Sequence, residues 1–247
     1  MLTREQKDRF SRQLLIPEFG ETGQKALLEA SVLIAGLGGL GSVSAYYLAA
    51  AGIGHLKIID RDYVAIENLN RQILHNTNDL GRPKIESARD KLKSLNPDCI
   101  IEPIHTDIRD KGLLDFVEGC RLIIDATDNL DARLALNRAS VEKRIPFIYG
   151  GIDGLSGMTT TFIPGKTACL ACIFPSQGRN RKDVIIGALG PVAGTIASIQ
   201  CTEAVMILSG KSPKLAGRML RFNGMEIDFK ETKITRNQRC PVCGSKD

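Results

Sequence analysis

The chain has 247 residues, 43% of them hydrophobic, no tryptophan, and a formal net charge of +5 from 33 basic and 28 acidic side chains. That size supports one sizeable core, and the mild charge, without a basic stripe interleaved with aromatics, argues against nucleic-acid binding. The apolar stretches are broken by Gly, Ser or charges, so no membrane span is expected, and the charged start MLTREQKDRF lacks an apolar leader, which predicts a cytoplasmic protein.

Thr3 and Gln6 form a capping-box pair, predicting a helix that carries Phe10 and Leu14. SVLIAG (31–36) reads as a buried strand, GSVSAYYLAAAG (41–52) as a helix stopped by glycine, and HLKIID (55–60) as a strand ending in Asp60. RPKIESARDKLKSLNP (82–97) has Pro83 near its start and apolar residues at Ile85, Ala88, Leu92 and Leu95, a helical pattern. CIIEPI, RLIIDAT and PFIYGG supply three further strands, with helices LLDFVEG and NLDARLALNRASVEKR between them. Alternation of this kind predicts a doubly wound, Rossmann-like α/β fold, mostly parallel, with helices on both faces. After Gly151 come an extra strand (GMTTTFIP), a loop over 175–188, a long helix from about Pro191 to Ser209, and a hairpin from RMLRFNG and MEIDFKETKI. No linker interrupts the chain, so a single domain is expected. It divides into N-terminal helices (1–30), a nucleotide-binding core (31–150) and a C-terminal part (151–247).

Gly36, Gly38 and Gly41 match G-x-G-x-x-G between a strand and a helix, the signature of a loop that holds phosphate. Asp60 ends the next strand, where an acid grips ribose hydroxyls. Together they predict an adenosine-type nucleotide without choosing between NAD and ATP. Asn68, Arg71 and Gln72 follow the ribose acid, Lys84 lies on the next helix, and Asp128 and Asn129 sit past another strand end. A pyrophosphate is normally satisfied by backbone N–H groups and a helix dipole. Extra cations and a spare carboxylate able to hold magnesium suit a triphosphate better.

Seven cysteines, an odd number without an export signal, point to a reducing compartment with metal-bound and free thiols. Cys169 and Cys172 form one C-x-x-C pair and Cys240 and Cys243 another, enough for a closed, structural zinc site. Two redox pairs are the alternative. Cys99, Cys120 and Cys201 read as buried free thiols. None of the three histidines, His55, His75 and His105, is expected to be catalytic.

The motifs RFSRQLLIPEFGETGQ, GLGGLGS, DRDYVAIENLNRQ, GRPKIESA, ATDNLDAR, CLAC and CPVC resemble the MoeB/ThiF/HesA family, relatives of ubiquitin-activating enzymes, over about Arg9 to Cys243. The resemblance implies an adenylyltransferase acting on the C-terminal Gly-Gly carboxylate of a ubiquitin-like sulfur carrier, of molybdopterin or thiamine type. It places ATP on Gly36, Gly38, Gly39, Gly41, Asp60, Asp62, Asn68, Arg71, Gln72, Lys84, Asp128 and Asn129. Asp128 would hold magnesium, and Arg12 would be an arginine finger reaching across a homodimer. Arg12, Arg71, Lys84 and Asp128 are therefore the expected catalytic set. A carboxylate nucleophile is already ionised at neutral pH and needs no general base. The barrier is the approach of an anion to a polyanion, which cations relieve. Some sulfur-handling relatives carry a loop cysteine after the first C-x-x-C pair. Residues 173–192 contain none, so another protein is expected to donate the sulfur. In that loop Arg179, Arg181 and Lys182 could guide the carrier's tail. An NAD-dependent oxidoreductase and a non-catalytic scaffold for a ubiquitin-like protein are the competing readings.

Overall fold

The Thr3 hydroxyl accepts from the Gln6 N–H at 3.1 Å while the Gln6 carboxamide accepts from the Thr3 N–H at 3.0 Å, closing the expected capping box. The helix it opens, α1 (Arg4–Arg9), ends at Phe10, whose φ of −100° and ψ of 13° leave the helical region. Ser11–Leu14 restarts as α2. The single helix read from the sequence is thus two, because burial of Phe10 at 2% exposure redirects the chain. The computed structural model describes residues 1–110, 112–174 and 187–244.

After α3 (Gly20–Leu28) the alternation expected from the pattern appears: β1 (Ser31–Ala35), α4 (Gly39–Ala51), β2 (His55–Ile59), α5 (Lys84–Leu95), β3 (Ile100–Ile104), α6 (Leu113–Phe116), β4 (Leu122–Asp125), α7 (Leu130–Lys143) and β5 (Phe147–Asp153). Then follow β6 (Ser156–Phe162), α8 (Leu170–Ile173), α9 (Gly190–Leu208), β7 (Arg218–Asn223) and β8 (Asp228–Lys233). The eight strands form one sheet in the order β3-β2-β1-β4-β5-β6-β7-β8. The first five pair in parallel, and β6, β7 and β8 extend the same sheet antiparallel.

Alternation along β1 sends Val32 and Ile34 to one face and Leu33 and Ala35 to the other. The first pair packs with Ala45 and Leu48 of α4, Ala88 and Leu92 of α5, and Ala204 and Leu208 of α9. The second pair packs with Leu113 of α6, Leu136 and Ala139 of α7, and Leu170 of α8. Among the described residues α9 alone has the length and apolarity to cross a membrane, with mean hydropathy 1.4. It lies instead against α4, β5 and β6 as a core helix.

Strand order reverses at β1: its successor β2 lies on one side and β4 on the other. The loops leaving β1 and β4 therefore diverge and open a crevice at the carboxyl ends of the strands, where ligands bind in such sheets.

Candidate active site and metal centre

The turn after β1 requires glycine for steric reasons. Gly36 has a φ of +91°, and a Cβ there would lie 2.7 Å from the Ala126 carbonyl oxygen. A Cβ on Gly41 would lie 1.9 Å from the Gly36 carbonyl oxygen. Gly41 thus allows α4 to pack on its own loop, whereas Gly36, Gly38 and Gly39 line the cleft and Gly41 does not. α4 starts with Gly38 at its N-cap and no side-chain cap, so the helix end presents unpaired N–H groups to the crevice.

Asp60 is 8% exposed, and both of its oxygens bind backbone: Oδ2 accepts from the Leu37 N–H at 2.7 Å and Oδ1 from the Asp62 N–H at 2.8 Å. Burial pushes its carboxyl above the ordinary value, while nearby Lys84 and the two N–H donors pull the other way. Lys84, 4% exposed at the start of α5, donates to Asp62 Oδ2 at 3.0 Å. Its other side faces the cleft, which has a volume of about 470 Å³. Arg71 also lines the cleft, steadied by donation to the Glu67 carbonyl at 2.9 Å and to Asn70 Oδ1 at 3.0 Å. Gln72 lines it too. The residue is 4% exposed, and its Oε1 has no hydrogen-bond partner among the described residues. A buried amide oxygen left unpaired is costly and fits a polar ligand.

Asn68 stands apart from this set. Its Oδ1 accepts from the Ala65 N–H at 3.1 Å, capping a 3₁₀ turn, and it does not line the cleft. The cap uses the carboxamide oxygen, and the amide nitrogen is the group that would donate to a phosphate. Arg12, exposed on α2, is also absent from the cleft of its own chain.

On the other side of the crevice, Asn129 Oδ1 accepts from the Ala132 N–H at 2.9 Å and caps α7. Asp128, just before the cap, is exposed to the cleft, and Asn129 Nδ2 donates to its Oδ1 at 3.3 Å. A free carboxylate beside phosphate-binding cations is a suitable donor for magnesium, which takes one or two carboxylates plus phosphate oxygens. The structure adds residues that sequence reasoning missed: Arg61, Thr106, Asp107, Ile108, Arg109 and Arg133. Arg61 and Arg109 both engage Asp107, at 2.6 and 2.5 Å, and hold its carboxyl far below the usual range, with Arg109 contributing most. The sequence signal for Asp107 and Arg109 was the charged stretch DIRD shortly after β3. Arg133 pairs with Asp125, whose side chain is fully buried; burial raises the Asp125 carboxyl, and Arg133 opposes the rise. None of the three histidines lines the cleft. The segment with Arg179, Arg181 and Lys182 lies outside the described residues.

Away from the cleft, the sulfurs of Cys169, Cys172, Cys240 and Cys243 lie within 4.8 Å of one another, the closest pairs at 3.5 and 3.6 Å. Four sulfurs about 2.3 Å from a common centre would be spaced about 3.8 Å apart on a tetrahedron, so the set fits one metal ion. Asn137 Nδ2 lies 3.7 Å from Cys169 Sγ, and the Asn237 N–H lies 3.5 Å from Cys172 Sγ, contacts that orient thiolate ligands. The metal-cluster reading is supported over two separate redox pairs because the two C-x-x-C segments converge. Of the remaining thiols, burial pushes both Cys99 and Cys201 up to about 12.

Residues 10–242 match the ThiF family. The heterocyst HesA protein of Trichormus variabilis is 36% identical over 99% of this chain and 91% of its own length. Molybdopterin-synthase adenylyltransferase of Escherichia coli is 36% identical over 96% of each chain. The SAMP-activating enzyme E1 of Haloferax volcanii is 37% identical over 97% of this chain and 89% of its own. Among solved structures, E. coli MccB with MccA-N7isoASN superposes with a TM-score of 0.87 at 24% identity, covering 97% of this chain and 75% of that one, a likeness of fold.

Proposed function

The chain belongs to the ThiF family, and from that premise we propose that it is an adenylyltransferase activating the C-terminal Gly-Gly carboxylate of a ubiquitin-like sulfur carrier. The relatives named as molybdopterin-synthase and sulfur-carrier-protein adenylyltransferases support this chemistry. The observation that carries it is the crevice itself: an open helix N-terminus, Arg71 and Lys84 on one wall, and the free Asp128 carboxylate on the other. A nicotinamide dinucleotide gives no use for that cation pair, and a scaffold gives no use for Asp128.

In this reading the triphosphate lies over Gly36–Gly39, with Arg71 and Lys84 neutralising phosphate charge. A carrier carboxylate oxygen attacks the α-phosphorus, the bond to the bridging oxygen breaks, and pyrophosphate leaves, giving an acyl-adenylate. Arg71 and Lys84 are fixed before the reaction, so they stabilise the developing charge without reorganisation. Asp128 would hold magnesium, which supplies further neutralisation of phosphate charge. Asp60, Asp62, Gln72 and Asn129 complete the nucleotide site. Arg12 enters it from the second copy of a cytoplasmic homodimer, and residues 151–247 receive the carrier. Cys169, Cys172, Cys240 and Cys243 would hold zinc in a closed site with no catalytic position.

The test is exchange of labelled pyrophosphate into ATP. Exchange is expected only with a Gly-Gly-ending carrier of molybdopterin or thiamine type and is expected to vanish in Asp128→Ala, whose exposed side chain leaves the fold intact. Carrier-independent exchange, or none with either carrier type, would overturn the reading.

A further inference from the structure

β4 ends in a carboxylate that the adenylation reading does not use. Asp125 is fully buried; its Oδ1 accepts from the Thr127 N–H at 3.0 Å and from the Thr127 hydroxyl at 2.7 Å. Its Oδ2 faces Arg133 Nε at 3.4 Å, and neither atom has a hydrogen-bond partner among the described residues. A carboxylate with no access to water persists only beside a cation.

The same guanidinium also reaches outward. Arg133 Nη2 donates to the Thr127 carbonyl at 2.8 Å and to the Gly150 carbonyl at 3.2 Å, and the group sits 5.1 Å from the Tyr149 ring centroid. One planar fork therefore ties together the end of β4, the loop after it and β5. Lysine, with its single ammonium, could not span these acceptors. Thr127 is held by both its N–H and its carbonyl. Asp128, the next residue, is followed by the α7 cap, so its backbone is fixed on both sides while its carboxylate, touched only by Asn129 Nδ2 among the described residues, faces the cleft.

We propose that Arg133 is a positioning residue for the divalent cation, clamping Asp125 to the 126–129 loop so that Asp128 is presented to metal and phosphate. The inference rests on the reading of Asp128 as the cation ligand. Arg133 touches neither metal nor nucleotide in this role. It acts through the Thr127 carbonyl and the Asp125 carboxylate.

The experiment titrates Mn²⁺, read by electron paramagnetic resonance, into the full chain saturated with an α,β-methylene analogue of ATP, without carrier. Arg133→Lys keeps the charge and loses the fork. The double variant Asp125→Asn with Arg133→Gln removes both charges, so no buried ion is left unpaired if the single variant fails to fold. In both, cation affinity is expected to fall about tenfold or more, the range for losing a group that orients a metal ligand. Analogue binding in the presence of chelator is expected to change by much less than the cation affinity does. Adding Arg133→Lys to Asp128→Asn should produce no further loss, because the two act through one carboxylate. Unchanged Mn²⁺ affinity in a folded variant, or losses that simply add, would overturn the proposal. Carrier-dependent exchange on the wild-type chain is scored separately. Its absence alongside the expected Mn²⁺ result would sink the adenylation reading and leave the role of Arg133 standing.

Discussion

The Asp60 carboxylate accepts the Leu37 N–H at 2.7 Å, so the acid just past β2 is a structural part of the glycine loop that follows β1. Its second oxygen holds the Asp62 N–H at 2.8 Å. A residue whose only task was to grip a ribose would leave the empty loop indifferent to its loss. Asp60→Ala is instead expected to destabilise the nucleotide-free protein by about 1–3 kcal/mol, the cost of stranding buried donors. In a chain of this size that is a fall in melting temperature of roughly 2–12 °C. Calorimetry without ATP checks this; an unchanged melting temperature would assign Asp60 to ligand binding alone.

Lys84 provides a second test. Its ammonium is buried, yet its partner Asp62 has 56% side-chain exposure and can be solvated when left alone. Lys84→Met leaves Asp62 solvated but also takes away the cation that offsets the burial of Asp60, so stability should fall by about 1–3 kcal/mol. Pyrophosphate exchange should fall by about 100-fold or more, as when a fixed donor to developing charge is lost. Near-normal exchange would show that Lys84 serves only the Asp62 ion pair.

The four-cysteine cluster joins the segment around α8 to the chain beyond β8. Protein purified without chelator should carry one zinc per chain, and its removal should lower the melting temperature and expose residues 235–244 to protease. Cys240→Ser should do the same. The α4 loop lies elsewhere, so ATP binding by the metal-free protein should persist while it stays folded. Zinc well below one per chain, with no thermal effect of chelator, would contradict the assignment.

His75 gives a pH signature. It is 5% exposed, its Nδ1 lies 2.9 Å from Ser87 Oγ, and burial, with Lys91 and Lys84 nearby, lowers its pKa from 6.5 to about 4. Asp79 faces it too and acts in the other direction. Between these two values the unfolded chain binds the proton and the folded chain does not, so this contribution to stability is lost as pH falls from 6.5 towards 4. Urea melts across that window should show a steeper acid decline in the wild type than in His75→Gln. Parallel declines would mean that His75 is protonated in the folded state.

Buried thiols make a further check. With Cys99 and Cys201 pushed up to about 12 and Cys120 also raised, the native protein should resist alkylation at all three below pH 9. Mass spectrometry should find these adducts only after denaturation. Rapid labelling of Cys201 in the native state would place α9 outside the core.

Much of the crevice was legible because it is built from local signals. The G-x-G-x-x-G turn, Asp60 at the next strand end and Asp128–Asn129 after β4 each lie at a strand terminus, and apolar periodicity alone locates those termini. Other assignments needed three dimensions. Gly41 reads as a ligand glycine, and only the structure shows that the Gly36 carbonyl fills the space a side chain would take. Asn68 reads as a phosphate contact, and only the structure shows that its oxygen caps its own 3₁₀ turn. Arg133 looks like a surface helix residue, yet it braces a buried acid in β4 and a carbonyl in β5.

By itself the sequence determined the order of strands and helices, the parallel sheet and its nucleotide loop, because period-2 and period-3.6 patterns and glycine sterics act within a few residues along the chain. It also determined which cysteines are paired by spacing. Tertiary structure alone decided that β6, β7 and β8 continue the same sheet, that two distant C-x-x-C segments meet, and which charges face the crevice and which brace its walls. Those outcomes depend on contacts between residues far apart in the chain, where burial and the need to satisfy every buried polar group override local preference.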